Sequence, residues 1–460
     1  MALTEDTPLA GYADRVVAVE PGGNEYIPED ARHGTPRRLF WTWTSPNLEF
    51  ATIFIGVLSV TAFGLNFWQA ALGLALGAGL GAGAHFVLSA RGPEHGVPQM
   101  VLGRTAFGYR GNALPAAFMS IMCGVGWFAT NSVSGAFALN TLTGMPKPAA
   151  LALIVVAQTG FAVFGHNLVH AFERIVFPVL AVVFLVVTVV ILGKADLGAA
   201  APSGGVGGMG GFLLTVGTAF GYAGGWNPYA ADYSRYLPAG VSKVATGGFA
   251  AAGLFVSCLW LSALGAASAT IVSSAQGSPT DLFTSHLPGA LANLTLLAIT
   301  LGAVAANALN VYSGAMAFVT IGVRLPVRTQ RAVVSIAFGA IGFLVALWAL
   351  PDAAQSYEAF LLIVAYWIGP WLGVVFADQY LRRGRRIEGL LYNRAYANRG
   401  GVAAFLIGLV VSVLLCSNQA KFTGYAVREV PELGDITFFV GFLLSGAAYL
   451  LLNRRRLARE

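Results

Sequence analysis

The feature that most limits this chain is the recurrence of long apolar runs. Twelve occur in the 460 residues, at about 50–67, 69–90, 113–142, 149–169, 175–193, 211–231, 245–274, 289–322, 332–350, 359–377, 401–419 and 436–452. A helix needs about 20 apolar residues to cross the hydrocarbon core of a bilayer. Inside lipid every backbone N–H and C=O must be paired within the segment, so runs of this kind fold as helices. Only 10% of the residues are charged, against about 25% in soluble domains. The expected fold class is an all-α membrane protein with twelve transmembrane helices.

The net charge of +6 is unevenly placed. With both termini in the cytoplasm, the tails and loops on that side hold 23 of the 27 Lys and Arg residues. Lys147, Lys194, Lys421 and Arg428 make up the other side. This is the positive-inside asymmetry, and it explains the basic character without a nucleic-acid partner. An odd helix count would scramble it. Residues 1–47 are polar and lack an apolar signal core, which argues for a cytoplasmic tail rather than a cleaved leader. Cys123, Cys258 and Cys416 all fall inside spans at spacings that suit neither a disulfide framework nor a zinc site.

Transporters often contain two interrupted helices in matching positions of an inverted repeat. Two spans carry breaking residues. Span one has TAFGLNF (61–67), with Gly64 between Thr61 and Asn66. Span six has GYAGGWNP (221–228), with Gly221, Gly224, Gly225 and Pro228. Proline lacks an N–H and disfavours helix at the preceding Asn227. The breaks lie five spans apart, which fits a five-plus-five inverted repeat followed by two further helices. The glycines are expected to unwind span six, admit a solute to the backbone and serve as a hinge.

The span interiors contain no Asp, Glu, Lys or Arg; Glu49, Asp232, Glu358 and Asp378 sit near span ends. Intramembrane charge marks ionic pathways and proton relays, so the pattern favours a neutral solute and weighs against a carboxylate relay. It also weighs against an intramembrane enzyme, which would need paired carboxylates or a metal cluster at that depth. Uncharged polar groups carry the site instead. Trp127 and Asn131 in span three are four apart, hence on one helix face, and an indole with an amide can stack and edge-read a planar heterocycle. Asn307 and Asn310 share a face of span eight, and Tyr222 and Trp226 lie in span six. Each of these also has a plain packing role open to it. Asp232 and Arg235 read as an exposed i,i+3 pair. His85 and His166 are the histidines inside spans.

Several stretches together resemble the nucleobase:cation symporter family, and within it the purine–cytosine permease branch. They are PEDARHGTPRRLFWTWTSPN (28–47), GVPQMVLGRTAFGYRGNALPA (96–116), GWFATN (126–131), ERIVFP (173–178), WNPYAADYSRYLP (226–238) and NALNVYSG (307–314). The resemblance implies the leucine-transporter-type fold with alternating access. It implies that Trp127 stacks on the base with a helix-six aromatic, for which Tyr222 and Trp226 compete. Asn131, with Asn307 or Asn310, would read the edge. In sodium-coupled members of this fold the ion lies between carbonyls at the helix-one break and hydroxyls on helix eight. Carried over, the carbonyls are those of Gly64 and Phe67, while the hydroxyl positions hold Ala305 and Ala306. Sodium prefers oxygen ligands, so the coupling cation is expected to be H+ rather than Na+.

The expected organisation is a tail at 1–47, a first repeat at 48–194, a second at 211–381, two helices within 401–453, and a tail at 454–460. The expected function is import of cytosine or purines across the cell membrane by a monomer that uses no cofactor. A hydantoin, allantoin or a thiamine-precursor pyrimidine is the alternative solute.

Overall fold

A computed structural model describes residues 24–164, 166–272, 277–322 and 327–457, with side chains described outside 162–175, 323–331 and 455–457. Helices dominate. The chain begins with α1 (Arg37–Thr44), α2 (Phe50–Thr61) and α3 (Phe67–Ser89). Three single-turn helices follow: α4 (Gly92–His95), α5 (Gln99–Leu102) and α6 (Arg104–Phe107). Next come α7 (Ala113–Ile121), α8 (Phe128–Thr143), α9 (Lys147–Phe164), α10 (His166–Leu192), α11 (Gly208–Gly224), α12 (Ala230–Ser234) and α13 (Lys243–Ser268). The rest are α14 (Pro279–Thr284), α15 (Gly289–Ile321), α16 (Val327–Ala349), α17 (Ala353–Leu381), α18 (Glu388–Leu391), α19 (Arg399–Cys416), α20 (Tyr425–Glu429) and α21 (Thr437–Leu457). A two-residue hairpin, Asn418–Gln419 with Phe422–Thr423, precedes α20.

By length and apolarity, 7 helical runs among the described residues can cross a membrane, one of them a 50-residue run, Ala332–Leu381, that takes in most of α16 and all of α17. Phe50–Thr61, Lys147–Phe161 and Val176–Leu192 are shorter apolar helices. Leu72, Leu76 and Leu80 on α3, Val182 and Val189 on α10, and Trp348 on α16 point outward. Lipid makes such a surface tolerable where water would not.

Small residues set the helix spacing. A Cβ on Gly77 would sit 2.4 Å from the Val216 carbonyl oxygen, and one on Gly81 would sit 2.7 Å from the Gly224 nitrogen. This four-residue stripe lets α3 lie directly on α11. Gly56 and Gly265 do the same for α2 and α13, where added Cβ atoms would fall 1.7 and 1.8 Å from the facing carbonyl oxygens. Such contacts stabilise membrane helix pairs through van der Waals packing. A second, smaller core of Phe128, Val133, Phe137, Leu151, Val155 and Phe338 joins α8, α9 and α16.

Both interruptions differ from the sequence expectation. Gly64 does not break a helix midway. It adopts φ +67° in the turn between α2 and α3, where Asn66 and Gln69 form a capping box on α3. The interruption instead lies between α1 and α2, at Ser45–Glu49. Ser45–Asn47 tighten to a 3-10 turn around Pro46, and Glu49 is extended at φ −143°, ψ 167°. Residues 37–47, read as tail, are therefore part of the bundle, with Leu39, Trp43 and Asn47 buried. The interruption between α11 and α12 is the milder one. Gly221 and Gly224 remain within α11, Gly225 keeps helical angles, and only Asn227–Tyr229 tighten to 3-10 before α12.

Candidate functional site

The two interruptions meet directly, joined by a hydrogen bond between Asn47 and Trp226. At the first, Asn47 donates to the Trp43 carbonyl at 2.7 Å and to Ser257 Oγ at 3.1 Å. Its own side-chain oxygen accepts the Trp226 indole N–H at 3.0 Å. One buried amide thereby ties α1 to α13 and to the α11–α12 interruption. Thr52 Oγ1 lies 2.7 Å from the Asn47 carbonyl, an acceptor freed by the broken helix. The same hydroxyl is 2.6 Å from Tyr222 OH, which in turn lies 3.0 Å from Glu49 Oε1. Glu49 is 2% exposed.

The third wall is the middle of the α7–α8 rod. Met122–Trp127 form a π turn that carries Trp127 inward; such turns recur at functional sites. The Trp127 and Tyr222 rings meet edge to face with centroids 5.2 Å apart. Phe360 of α17 meets Trp127 at 4.9 Å and also lines a cavity of about 300 Å³ between α2, α8, α16 and α17. Trp226 is turned toward Trp43 at 5.9 Å and Tyr229 at 5.0 Å. Of the two competing aromatics, the structure places Tyr222 against Trp127 and spends the Trp226 N–H on Asn47.

The amides form one network. Asn307 accepts from Asn131 Nδ2 at 3.1 Å and from Asn310 Nδ2 at 3.3 Å. It donates to the Phe128 carbonyl at 3.0 Å and to Gln158 Oε1 at 2.8 Å. Asn310 Oδ1 accepts from Tyr229 OH at 2.8 Å. Asn307 is thus fully engaged with protein groups. Asn131 Oδ1 and Glu49 Oε2 are buried and meet no hydrogen-bond partner among the described residues, an arrangement that costs free energy unless a further donor arrives.

Gly64 and Phe67 stand apart from this assembly, at the α2–α3 turn, where Gly64 packs against Gly204 and Gly207. Ala305 and Ala306 are buried on α15. His85 packs edge-on to Trp43 at 4.2 Å, and the His166 side chain lies outside the described residues. Asp232 and Arg235 are each only 2% exposed rather than a solvated pair. The Asp232 carboxylate accepts the Gln99 backbone N–H at 2.9 Å, while Arg235 reaches the Glu25 carbonyl and Tyr236 OH. These contacts close the α4–α6 end, together with Asp378, which accepts from Thr105 at 2.6 Å and Tyr449 at 2.6 Å. In that loop burial, then the Arg91 guanidinium, holds the His95 imidazole below its ordinary range.

Sequence reasoning missed Asn47, Thr52 and above all Glu49. The available signal was Pro46 followed by polar Asn47, set between Trp43 and an apolar run.

Interrupted helices that meet around buried polar groups, inside an apolar helical bundle, are an arrangement that recurs at the substrate sites of membrane transporters. The family model described as a permease for cytosine/purines, uracil, thiamine and allantoin matches residues 26–441, and the chain belongs to that family. It is a multi-pass membrane permease and not an enzyme. It is 28% identical over 453 residues to YxlA of Bacillus subtilis (strain 168), covering 95% of this chain and 96% of that one. It is 26% identical over 432 residues to the purine-cytosine permease fcyB of Emericella nidulans, covering 89% and 83%. Its fold is shared with the inward-facing conformation of Mhp1, at a TM-score of 0.74 and 19% identity over 96% of this chain and 95% of that one. Mhp1 in a closed conformation with bromovinylhydantoin bound superposes equally well, at 0.74 with 20% identity over 95% of each chain.

Proposed function

We propose that the protein imports a neutral nucleobase, cytosine or a purine, by symport with a cation, and that the cation is a proton. The observation that carries this reading is the Trp127–Tyr222 aromatic pair set beside two unpartnered buried oxygens, on Asn131 and Glu49. A flat ring inserted between indole and phenol would gain stacking worth about 1–3 kcal/mol. Its N–H groups would satisfy the waiting acceptors. Asn131 is the edge reader, since Asn307 is engaged by protein partners. The name of fcyB as a purine-cytosine permease agrees with this solute class. The alanines at 305 and 306 offer no side-chain oxygen to sodium, which favours the proton.

Taking α1 with α2 and α11 with α12 as single crossings, the helices make twelve, arranged as a five-plus-five inverted repeat and two more. With α1 included, the first repeat runs from 37 to 192 and the second from 208 to 381. Both termini lie in the cytoplasm of a cell whose plasma membrane holds the protein as a monomer. The cavity beside Phe360 then opens outward, and the base enters there before the bundle rocks about the site.

A thermal-shift screen tests the solute: cytosine, adenine, guanine, hypoxanthine, uracil, allantoin and a hydantoin, each with and without sodium. A ligand that binds only the folded state raises its apparent stability. Stabilisation by cytosine or a purine, indifferent to sodium, is expected. Stabilisation by a hydantoin or allantoin alone, or only with sodium, would overturn the solute or the coupling assignment. Trp127→Ala should lower base affinity by about 5- to 150-fold, the equivalent of the stacking energy, and remove saturable uptake at the concentrations that saturate wild type, in protein that still inserts.

A further inference from the structure

We propose that Glu49 is the proton carrier of the transport cycle: a neutral carboxylic acid at the α1–α2 interruption whose second oxygen, Oε2, accepts an N–H of the base. This rests on the nucleobase reading and adds to it the group that couples solute to cation.

The argument is a count of hydrogens. Three oxygen–oxygen contacts run in series: Glu49 Oε1 to Tyr222 OH at 3.0 Å, Tyr222 OH to Thr52 Oγ1 at 2.6 Å, and Thr52 Oγ1 to the Asn47 carbonyl at 2.7 Å. Each contact needs one hydrogen. Two hydroxyls supply two, because each carries a single O–H, and the Asn47 carbonyl supplies none. A carboxylate supplies none either. A carboxylic acid supplies the third: Glu49 O–H donates to Tyr222, Tyr222 to Thr52, and Thr52 to the carbonyl. With the acid ionised, one contact in the chain lacks its hydrogen and two oxygens repel.

The surroundings fit the neutral acid. The titratable groups that bear on Glu49 are Tyr222 on α11, Cys258 on α13 and Tyr357 on α17. α15 faces it with Gly302, the π turn before α8 contributes Trp127 beside Tyr222, and α3 brings Leu74 and Ala78 to the Thr52 corner. None of these is a cation. A buried carboxylate without a cation or several hydrogen bonds is costly. Oε2, with no protein partner among the described residues, is left for the solute. Binding of the base and of the proton then favour each other. The proton joins Glu49 from the outer solution, holds the α2–α11 seam together while the base is bound, and leaves to the cytoplasm when that seam opens.

The test uses purified full-length protein, reconstituted for uptake, and Glu49→Gln, whose amide copies the donor and acceptor of the acid but cannot ionise. In wild type, cytosine affinity should fall by about tenfold per pH unit once the acid titrates, and a proton gradient should drive accumulation. In E49Q the affinity should no longer vary with pH, and proton-driven accumulation should be lost. Accumulation that persists in E49Q would overturn the proposal. The infrared difference spectrum, wild type minus E49Q, recorded without solute near neutral pH, should show one carboxylic-acid C=O band; a difference spectrum without that band would also overturn it. If E49Q does not fold, Tyr222→Phe takes its place: it interrupts the relay and should move the pH at which that band titrates. An unmoved titration would count against the chain. Failure of wild type to bind any base in the screen would sink the nucleobase reading, yet leave the infrared result to decide the Glu49 proton.

Discussion

The two helix interruptions teach opposite lessons about how a membrane helix is broken. By sequence, the break between α11 and α12 should be severe, with Gly221, Gly224, Gly225 and Pro228 within eight residues. It departs from helix only by a 3-10 turn at Asn227–Tyr229. Its glycines serve proximity rather than unwinding: a Cβ on Gly221 would lie 2.2 Å from the Leu361 carbonyl oxygen, and one on Gly225 would lie 3.2 Å from the Trp127 ring. The break between α1 and α2 has a single proline and no glycine, yet it leaves the helical region at Leu48 and Glu49. Freed backbone there is tolerated because another group supplies a partner, Thr52 for the Asn47 carbonyl. One break is held by local chemistry, the other by the fold around it.

Substitutions can break this contrast. Gly221→Val should have the largest effect. The obstacle is backbone on α17, which cannot swing aside, so folded protein should vanish from size-exclusion profiles. Asn47→Ala comes next. It removes the acceptor of the Trp226 N–H and the donor to Ser257, and should cost about 2 kcal/mol, read as a lower apparent Tm in detergent. Trp226→Phe removes one side of the same tie and should cost about 1 kcal/mol. The double variant should lose less than the two losses added, since both remove the same bond. Pro228→Ala should be the mildest, within about 0.5 kcal/mol, because the α11–α12 break is set by packing more than by its proline. A large loss from Pro228→Ala with little from Asn47→Ala would reverse the comparison.

Part of the candidate site's geometry was legible. Trp127 and Asn131 are both buried, and Tyr222 meets Trp127. The four-residue step brought Asn131 to the helix-eight amides as well. What misled was averaging. Residues 37–47 hold Arg37, Arg38 and several hydroxyls, so a hydropathy window reads a polar tail, although Leu39 and Trp43 are buried. With α1 lost, the nearest glycine, Gly64, stood in for the break. Glu49 then reads as a span end, and no carboxylate is expected at depth.

Sequence alone determined that this chain lives in a membrane, because apolar length is a sum over many residues that no single contact can reverse. It also marked the aromatics and amides, whose chemistry is intrinsic. Tertiary structure alone decided which polar residues turn inward. Glu49 and Asp232 each read as carboxylates near the end of a span, yet the former lies against Tyr222 at a break and the latter accepts a loop N–H at the closed end. The cost of burying a carboxylate depends on which partners other helices bring to it, and those partners are 173 and 133 residues away in the chain.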